Sequence, residues 1–383
     1  MTPVPVSQTP GPRSHAARFI RIDVLRAIAA VTVVAYHFFG SKIGWHLPWR
    51  ADGLADFSAP LSSTIPLLGL SVGWAGVPLF FALSGFCIHG AFVRQPHFDA
   101  GVFFWRRFWR IYPPFLAAIA LFCFWPIWRL GTDVSFADLA GHLTTSFVLT
   151  PHDFWSGLNP SFWSVAVEFQ CYLLYPLFLL LRSRWGTARV ALTWFVLGAI
   201  GKITASAFAG WPDHAINFWS CVSIFSFGDW ALGALVAEDI ATQKHRGFYR
   251  IPILIAAIIA CLLSILWRPS LTLSFSLTAA AGALLIYHYA CRATPVSRSE
   301  ALLARLGVAS YSLYLWHQPL LGPLESIGRD LSSIFPLQVA RITTVLVIAI
   351  GLTAISFVSY YLLERTGIAL AGRFRGKPTP VRS

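Results

Sequence analysis

Charged residues are scarce in this chain of 383 residues. Asp, Glu, Lys and Arg together make up 12% of it, whereas 56% of its residues are hydrophobic. A soluble domain has about twice that share of charge, so the composition excludes an ordinary soluble protein of this length. The mean hydropathy of +0.64 agrees. We therefore expect an all-α fold, a polytopic bundle of transmembrane helices in the lipid bilayer.

Acidic residues are especially few, 16 Asp and Glu against 29 Lys and Arg, which leaves a net charge of +13. A basic chain can bind nucleic acid. Here, however, the basic residues cluster in short segments between apolar runs, as the positive-inside rule describes for membrane proteins. The charge is thus explained by topology, and we expect no nucleic-acid partner.

Cysteine pairs with metal-ligand spacing are also lacking. The six cysteines are scattered, and most fall within apolar runs, where Cys behaves as a small hydrophobic residue. We expect neither a disulfide framework nor a metal site.

The first residues lack the apolar core of a cleaved signal peptide. We expect residues 1–18 to be a disordered cytoplasmic tail, residues 19–367 to form the membrane domain, and residues 368–383 to be a basic cytoplasmic tail. The longest stretches between predicted spans, around 41–71 and 131–160, are about 30 residues each. We therefore expect no appended soluble domain.

Runs of roughly 20 apolar residues predict about ten spans. They lie near 21–40, 72–93, 113–130, 161–181, 188–209, 217–237, 251–267, 270–291, 306–324 and 338–363. With the N-terminus in the cytoplasm, seven basic residues fall outside or near the outer ends, Arg26 lies within the first span, and the remaining 21 are cytoplasmic. This asymmetry predicts that both termini are cytoplasmic.

The first span carries an arginine and a histidine, Arg26 and His37, eleven residues apart. On a helix this spacing corresponds to a rotation of about 20° past three full turns, so both side chains share one face. The rise between them is about 16 Å. Asp23, three residues before Arg26, can pair with it. Two interpretations stay open from spacing alone: a functional face, or an ion pair plus a structural histidine.

An arginine cluster precedes the third span in "FFWRRFWRIYPPF", Phe103 to Phe115. Arg106 and Arg110 are four residues apart on a helix face, with Arg107 beside them. Guanidinium forks suit phosphate binding. The alternative is a basic belt that touches anionic lipid headgroups.

Three further apolar motifs contain polar side chains. Glu168 lies within "SFWSVAVEFQCYLLYP", where an intramembrane carboxylate is a functional candidate, although it could instead be protonated and bonded to a neighbouring helix. Ser84, in "LFFALSGFCIHG", adjoins a glycine that permits close helix approach. His317 lies in "YSLYLWHQPL", where a lone histidine is more often structural.

Taken in order, these elements resemble the acyltransferase-3 family, integral membrane enzymes that acylate carbohydrates and other hydroxyl compounds. The resemblance is carried by Arg26-x10-His37, "FFALSGFCI", "WRRFWRIYP", "FWSVAVEFQCYLLYP" and "SYSLYLWHQPL". It implies that His37 is catalytic with Arg26 as its companion, and that Arg106, Arg107 and Arg110 bind acyl-CoA. Glu168 matches the family's acidic position, while Asp23, Ser84, Trp163 and His317 are supporting candidates.

The implied reaction takes an acyl group, commonly acetyl, from cytoplasmic acyl-CoA to a hydroxyl of a cell-surface glycan or similar acceptor. No cofactor is expected, and the site would be in a bacterial inner membrane. We hypothesise that His37 is the general base, with Glu168 favoured over Asp23 to orient it; a covalent acyl-histidine is the competing route. The rival classes are a transporter or exporter of a glycolipid or small acid, and a non-catalytic scaffold.

Overall fold

The computed structural model describes residues 12–43, 49–58, 69, 72–95, 97–124, 134–151 and 158–373. Over these ranges the chain forms helices joined by turns and loops, with two isolated β-bridges and no β-strand. This confirms the all-α class. The residues at both ends, 1–11 and 374–383, lie outside the described residues, as do parts of the two longest loops.

The α-helices follow each other in chain order, each close to a predicted span or between two spans. They are α1 (Pro12–Ile43), α2 (Gly76–Phe92), α3 (Ala100–Phe124), α4 (Phe136–Thr144), α5 (Phe162–Trp185), α6 (Thr187–Ala209), α7 (Ser223–Ala241), α8 (Ile251–Ser264), α9 (Leu271–Ala290), α10 (Arg298–Val308), α11 (Ser310–Leu331), α12 (Leu337–Ser359) and α13 (Arg365–Arg373). A single turn, Phe218–Cys221, precedes α7. The break predicted at "LWRPSLTLS" is present between α8 and α9.

Five of the described helical segments are long and apolar enough to cross a membrane: Gly73–Phe92, Phe162–Trp185, Thr187–Ala209, Arg268–Ala290 and Leu337–Gly372. The helix α8 is apolar but shorter. The predicted spans near 21–40, 217–237 and 306–324 coincide with helices that carry more polar side chains. The span near 113–130 does so as far as residue 124, and its remainder lies outside the described residues. Some of these side chains are buried in the bundle, among them Asp229, Asp239 and His317.

Small residues let the central helices approach closely. A Cβ atom placed on Gly85 of α2 would lie 1.9 Å from the carbonyl oxygen of Trp230 on α7, so only glycine fits there. The close approach predicted for "LSGF" is therefore found between α2 and α7. The helix α1 is packed against α2, α9, α10 and α11, which places its polar face inside the protein.

A buried ion pair joins three helices of the bundle. Lys202 of α6 is fully buried, and its Nζ atom donates to the Asp229 carboxylate of α7 at 2.5 Å and to the Ser276 hydroxyl of α9 at 2.7 Å. Lys202 is one of the seven basic residues that the positive-inside pattern places outside or near the outer ends of the spans. The structure adds that its charge points into the bundle and is neutralised there.

Candidate active site

A cavity of about 110 Å³ lies between α1, α2, α3, α5 and α11. By the same measure a water molecule needs roughly 10–15 Å³, so the cavity can hold a small group or several waters. Its wall on α2 is mainly apolar, with Ser84 as a polar exception, and the other helices contribute most of its polar side chains. The cavity is smaller than the roughly 300–1,000 Å³ of a site that encloses a drug-sized ligand.

One end of the cavity is lined by three arginines, Arg26 of α1 and Arg107 and Arg110 of α3. Arg26 is 3.5 Å from the Asp23 carboxylate, which confirms the pairing that the spacing predicts. Arg110 is 3.6 Å from Glu364, which lies between α12 and α13.

Arg107 differs from the other two arginines. Its guanidinium carbon lies 6.0 Å from the ring centres of both Phe103 and Tyr172, in the range of cation–π contact. Within the described ranges it has no carboxylate partner, and its buried Nε atom donates no hydrogen bond. Arg106 is exposed and does not line the cavity. The face of α3 that meets the cavity therefore carries Arg107 and Arg110.

The cavity wall on α5 contains the predicted carboxylate. Glu168 accepts a hydrogen bond of 2.5 Å from the Tyr172 hydroxyl, one helical turn away. That hydroxyl lies 3.5 Å from the Ser84 hydroxyl, which in turn accepts a bond of 3.1 Å from the Trp230 indole. Glu168, Tyr172 and Ser84 all line the cavity. Trp163, on the same helix, is buried but outside the lining.

The two predicted histidines form a pair. His37 Nδ1 lies 3.2 Å from His317 Nε2, and the ring centres are 4.9 Å apart. His37 therefore contacts His317, whereas Glu168 bonds to Tyr172.

Backbone carbonyl groups determine the tautomers of this pair. His37 Nδ1 is 3.0 Å from the Val33 carbonyl oxygen, and His317 Nδ1 is 2.6 Å from the Tyr314 carbonyl oxygen. A carbonyl oxygen only accepts, so both Nδ1 atoms carry protons. His317 Nε2 then accepts from His37 Nδ1. The basic lone pair of neutral His37 is consequently on its Nε2 atom.

Tyr314 connects the histidine pair to the cavity. Its side chain lines the cavity, and its ring centre lies 5.4 Å from that of His317. Its hydroxyl accepts a hydrogen bond of 2.7 Å from Ser164, which is also in the cavity wall. The cavity thus runs from the arginines to Tyr314, and the histidine pair lies just beyond it.

Sequence reasoning missed three of these residues. Tyr172 and Tyr314 are ordinary aromatic residues in apolar helices, although each is three or four residues from a predicted site residue, Glu168 or His317. Glu364 follows the tenth predicted span directly. A lone glutamate at the end of an apolar run is a signal of a buried charge, although its partner on α3 is not readable from the sequence.

Comparisons with known proteins identify the family of the chain. A family model described as "Acyltransferase domain" matches residues 19–362. The chain is 24% identical over 341 residues to "Peptidoglycan O-acetyltransferase OatA" of Listeria monocytogenes, covering 78% of this chain and 49% of that protein. It is 33% identical over 121 residues to "Uncharacterized protein" of Haemophilus influenzae, covering 27% of this chain and 48% of that one. The chain spans about half the length of these curated relatives, and no solved structure matches it significantly.

Proposed function

The chain belongs to the acyltransferase-3 enzyme family, and we propose that it is a multi-pass membrane O-acyltransferase that moves an acyl group from acyl-CoA to an acceptor hydroxyl. The observation that carries this proposal is the His37–His317 pair at the end of a cavity lined by arginines. Acetyl is the preferred acyl group, since a relative's name describes an O-acetyltransferase.

The arginines support an anionic donor. Arg107 is a half-buried cation without a carboxylate partner in the described part of the chain, and Arg110 is 31% exposed at the cavity wall. Guanidinium groups bind phosphate oxygens through two parallel hydrogen bonds. We assign the phosphates of acyl-CoA to Arg107 and Arg110 at the arginine end of the cavity, with the acyl end of the donor inside the cavity and directed towards Tyr314. The cavity volume suits the acyl end of the donor rather than the whole molecule.

His37 is the general base of the proposed reaction. Its Nε2 atom takes the proton of the acceptor hydroxyl while the hydroxyl oxygen attacks the thioester carbonyl carbon. The carbon–sulfur bond then breaks, and the imidazolium returns the proton to the CoA thiolate. His317, rather than Glu168, orients the ring and accepts from Nδ1–H as positive charge develops, a role that a carboxylate has in other triads.

The acceptor is proposed to be a hydroxyl of a cell-surface glycan. The support is one relative, whose name describes acetylation of peptidoglycan. We also propose the ten-span topology with cytoplasmic termini and an inner-membrane location. This topology puts the arginines towards the cytoplasm, where acyl-CoA is, and His37 beyond the middle of the membrane.

Purified protein tests the proposal through acetyl-CoA hydrolysis and acetyl transfer to a glycan fragment. We expect His37→Ala to lower kcat about 10²–10⁴-fold, the typical contribution of a positioned base. Circular dichroism and thermal melting check that the variant is folded. Normal turnover by folded His37→Ala would exclude this mechanism, and a trapped acetyl group on His37 would favour the covalent route. A wild-type protein that neither binds nor uses acyl-CoA would instead favour a transporter.

A further inference from the structure

The last helix changes its winding next to the cavity. Between α12 and α13, residues Tyr360–Glu364 form a π-helical turn. Such turns are rare, insert one extra residue into the helix, and occur frequently at functional sites. Glu364 ends this turn and is only 1% exposed, so its carboxylate lies inside the protein.

The environment of Glu364 satisfies its charge poorly. Its Oε1 atom is 3.6 Å from Arg110 Nε, which is an ion pair but longer than a hydrogen bond. Ser312 lies beside the carboxylate and interacts with it, but neither its hydroxyl nor Glu364 Oε2 has a hydrogen bond of normal geometry with the described residues. A buried carboxylate with so few partners is costly, so packing does not explain why this position has a glutamate.

A backbone contact fixes Glu364 relative to Arg110. Three residues later, a Cβ atom placed on Gly367 would lie 2.0 Å from the carbonyl oxygen of Trp109. The backbones of α13 and α3 therefore touch beside Arg110. Glu364 is held on a rigid element, which is what a residue that orients another side chain requires.

Arg110 is the cavity arginine whose partner comes from a distant part of the chain. Arg26 pairs with Asp23 on its own helix, and Arg107 has no carboxylate in the described ranges. The closest approach of Glu364 to Arg110 is at Nε, on the side of the guanidinium group. The terminal nitrogens, Nη1 and Nη2, are the pair that grips a phosphate end-on.

We propose that Glu364 is a positioning residue of the donor site. It holds the guanidinium group of Arg110 by its Nε side, so that the terminal nitrogens face the phosphates of acyl-CoA. This inference rests on the proposed function, because it requires an acyl-CoA donor at the cavity. It assigns the last helix a part in donor binding, although that helix carries none of the motifs of the sequence analysis.

Steady-state kinetics of the full-length purified protein with acetyl-CoA test the proposal. We expect Glu364→Gln to raise KM for acetyl-CoA about tenfold, the effect of losing one charge-assisted contact, with kcat within about twofold. Glu364→Asp keeps the charge but moves it one methylene further from Arg110. The KM of this variant should therefore lie between the KM of wild type and that of Glu364→Gln. If Glu364→Gln yields no folded protein, Glu364→Asp provides the same comparison.

A double-mutant cycle separates positioning from a structural role. Because Glu364 acts through Arg110, adding Glu364→Gln to the Arg110→Met variant should not raise KM beyond that of Arg110→Met alone. The matched control is Asp239→Asn, which breaks another buried carboxylate–arginine pair, with Arg246, outside the cavity. It should lower the melting temperature and leave KM unchanged.

Two results would overturn the proposal: an unchanged KM in Glu364→Gln or Glu364→Asp, or full additivity of the Glu364 and Arg110 changes. A wild-type protein without activity or binding towards acetyl-CoA would instead refute the proposed function itself.

Discussion

The histidine pair predicts a specific effect of changing its second member. In His317→Leu, His37 Nδ1–H loses one of its two acceptors, the His317 Nε2 atom. The other acceptor, the Val33 carbonyl oxygen at 3.0 Å, remains. Leucine has no polar atom and fills much of the volume of the ring. The change therefore removes the contact with His37 and the bond from His317 Nδ1 to the Tyr314 carbonyl oxygen, with little new space in a fully buried position.

The size of the effect follows from the change in charge during the reaction. A hydrogen bond between neutral groups contributes about 0.5–1.5 kcal/mol, and one to a charged group about 1.5–3 kcal/mol. Only the strengthening between the ground state and the transition state lowers the barrier. That difference is about 1–1.5 kcal/mol, so we expect kcat to fall about five- to twelvefold. The fall is smaller than the one expected for His37→Ala.

The assay is kcat for acetyl-CoA turnover by His317→Leu, His317→Gln and wild type. The Gln side chain offers an amide oxygen as a new acceptor, so kcat should recover to within about threefold of wild type. His142→Leu is the matched control. His142 is also fully buried and bonds a backbone carbonyl at 2.7 Å, but it belongs to α4, outside the pair. Its kcat should equal that of wild type.

Two outcomes contradict this account. An unchanged kcat in folded His317→Leu would show that His317 does not support His37. A loss as large as that of His37→Ala, without rescue by Gln, would show that His317 is itself the base.

Three other changes have expected outcomes. Arg107→Met should raise KM for acetyl-CoA by at least tenfold with little change in kcat, and an unchanged KM would reassign Arg107 to a structural role. Tyr314→Ala should increase kcat/KM for butyryl-CoA relative to acetyl-CoA by about tenfold or more, since one methylene in a pocket contributes roughly 1–3 kcal/mol to discrimination. An unchanged ratio would show that Tyr314 does not limit the length of the acyl group. Lys202→Met should destabilise the protein by about 3–5 kcal/mol in thermal or denaturant unfolding, because it leaves the buried Asp229 carboxylate without its cation. The double variant Lys202→Met, Asp229→Leu should recover most of that loss. Equal stability of Lys202→Met and wild type would refute the buried pair.

The sequence was sufficient for the fold class. Apolar runs of about 20 residues in a chain with 12% charge leave helices as the only structure that satisfies its backbone groups in a membrane, apart from closed barrels. The helix α1 is continuous through Arg26 and His37, so their common face follows from helix geometry alone. The Asp23–Arg26 pair is local for the same reason, since three residues separate its members.

The partners of the site residues were beyond the reach of the sequence. Glu168 was favoured over Asp23 as the group that orients His37, because it lies deeper in the membrane than Asp23. The structure instead brings His317 to His37, and Tyr172 to Glu168. Similarly, the spacing of Arg106 and Arg110 suggested a shared binding face, whereas the cavity is lined by Arg107 and Arg110. Which side of a helix meets a cavity depends on the helices around it.

Sequence by itself thus determined the helical membrane fold, the common face of Arg26 and His37, and the residues from which a site could be made. Tertiary structure alone decided that His317 meets His37, that Tyr314 lies between that pair and the cavity, and that Glu364 reaches Arg110 from the far end of the chain. The physical reason is range: helix periodicity relates residues a few turns apart, whereas contacts between helices depend on how ridges, small residues and buried charges fit together.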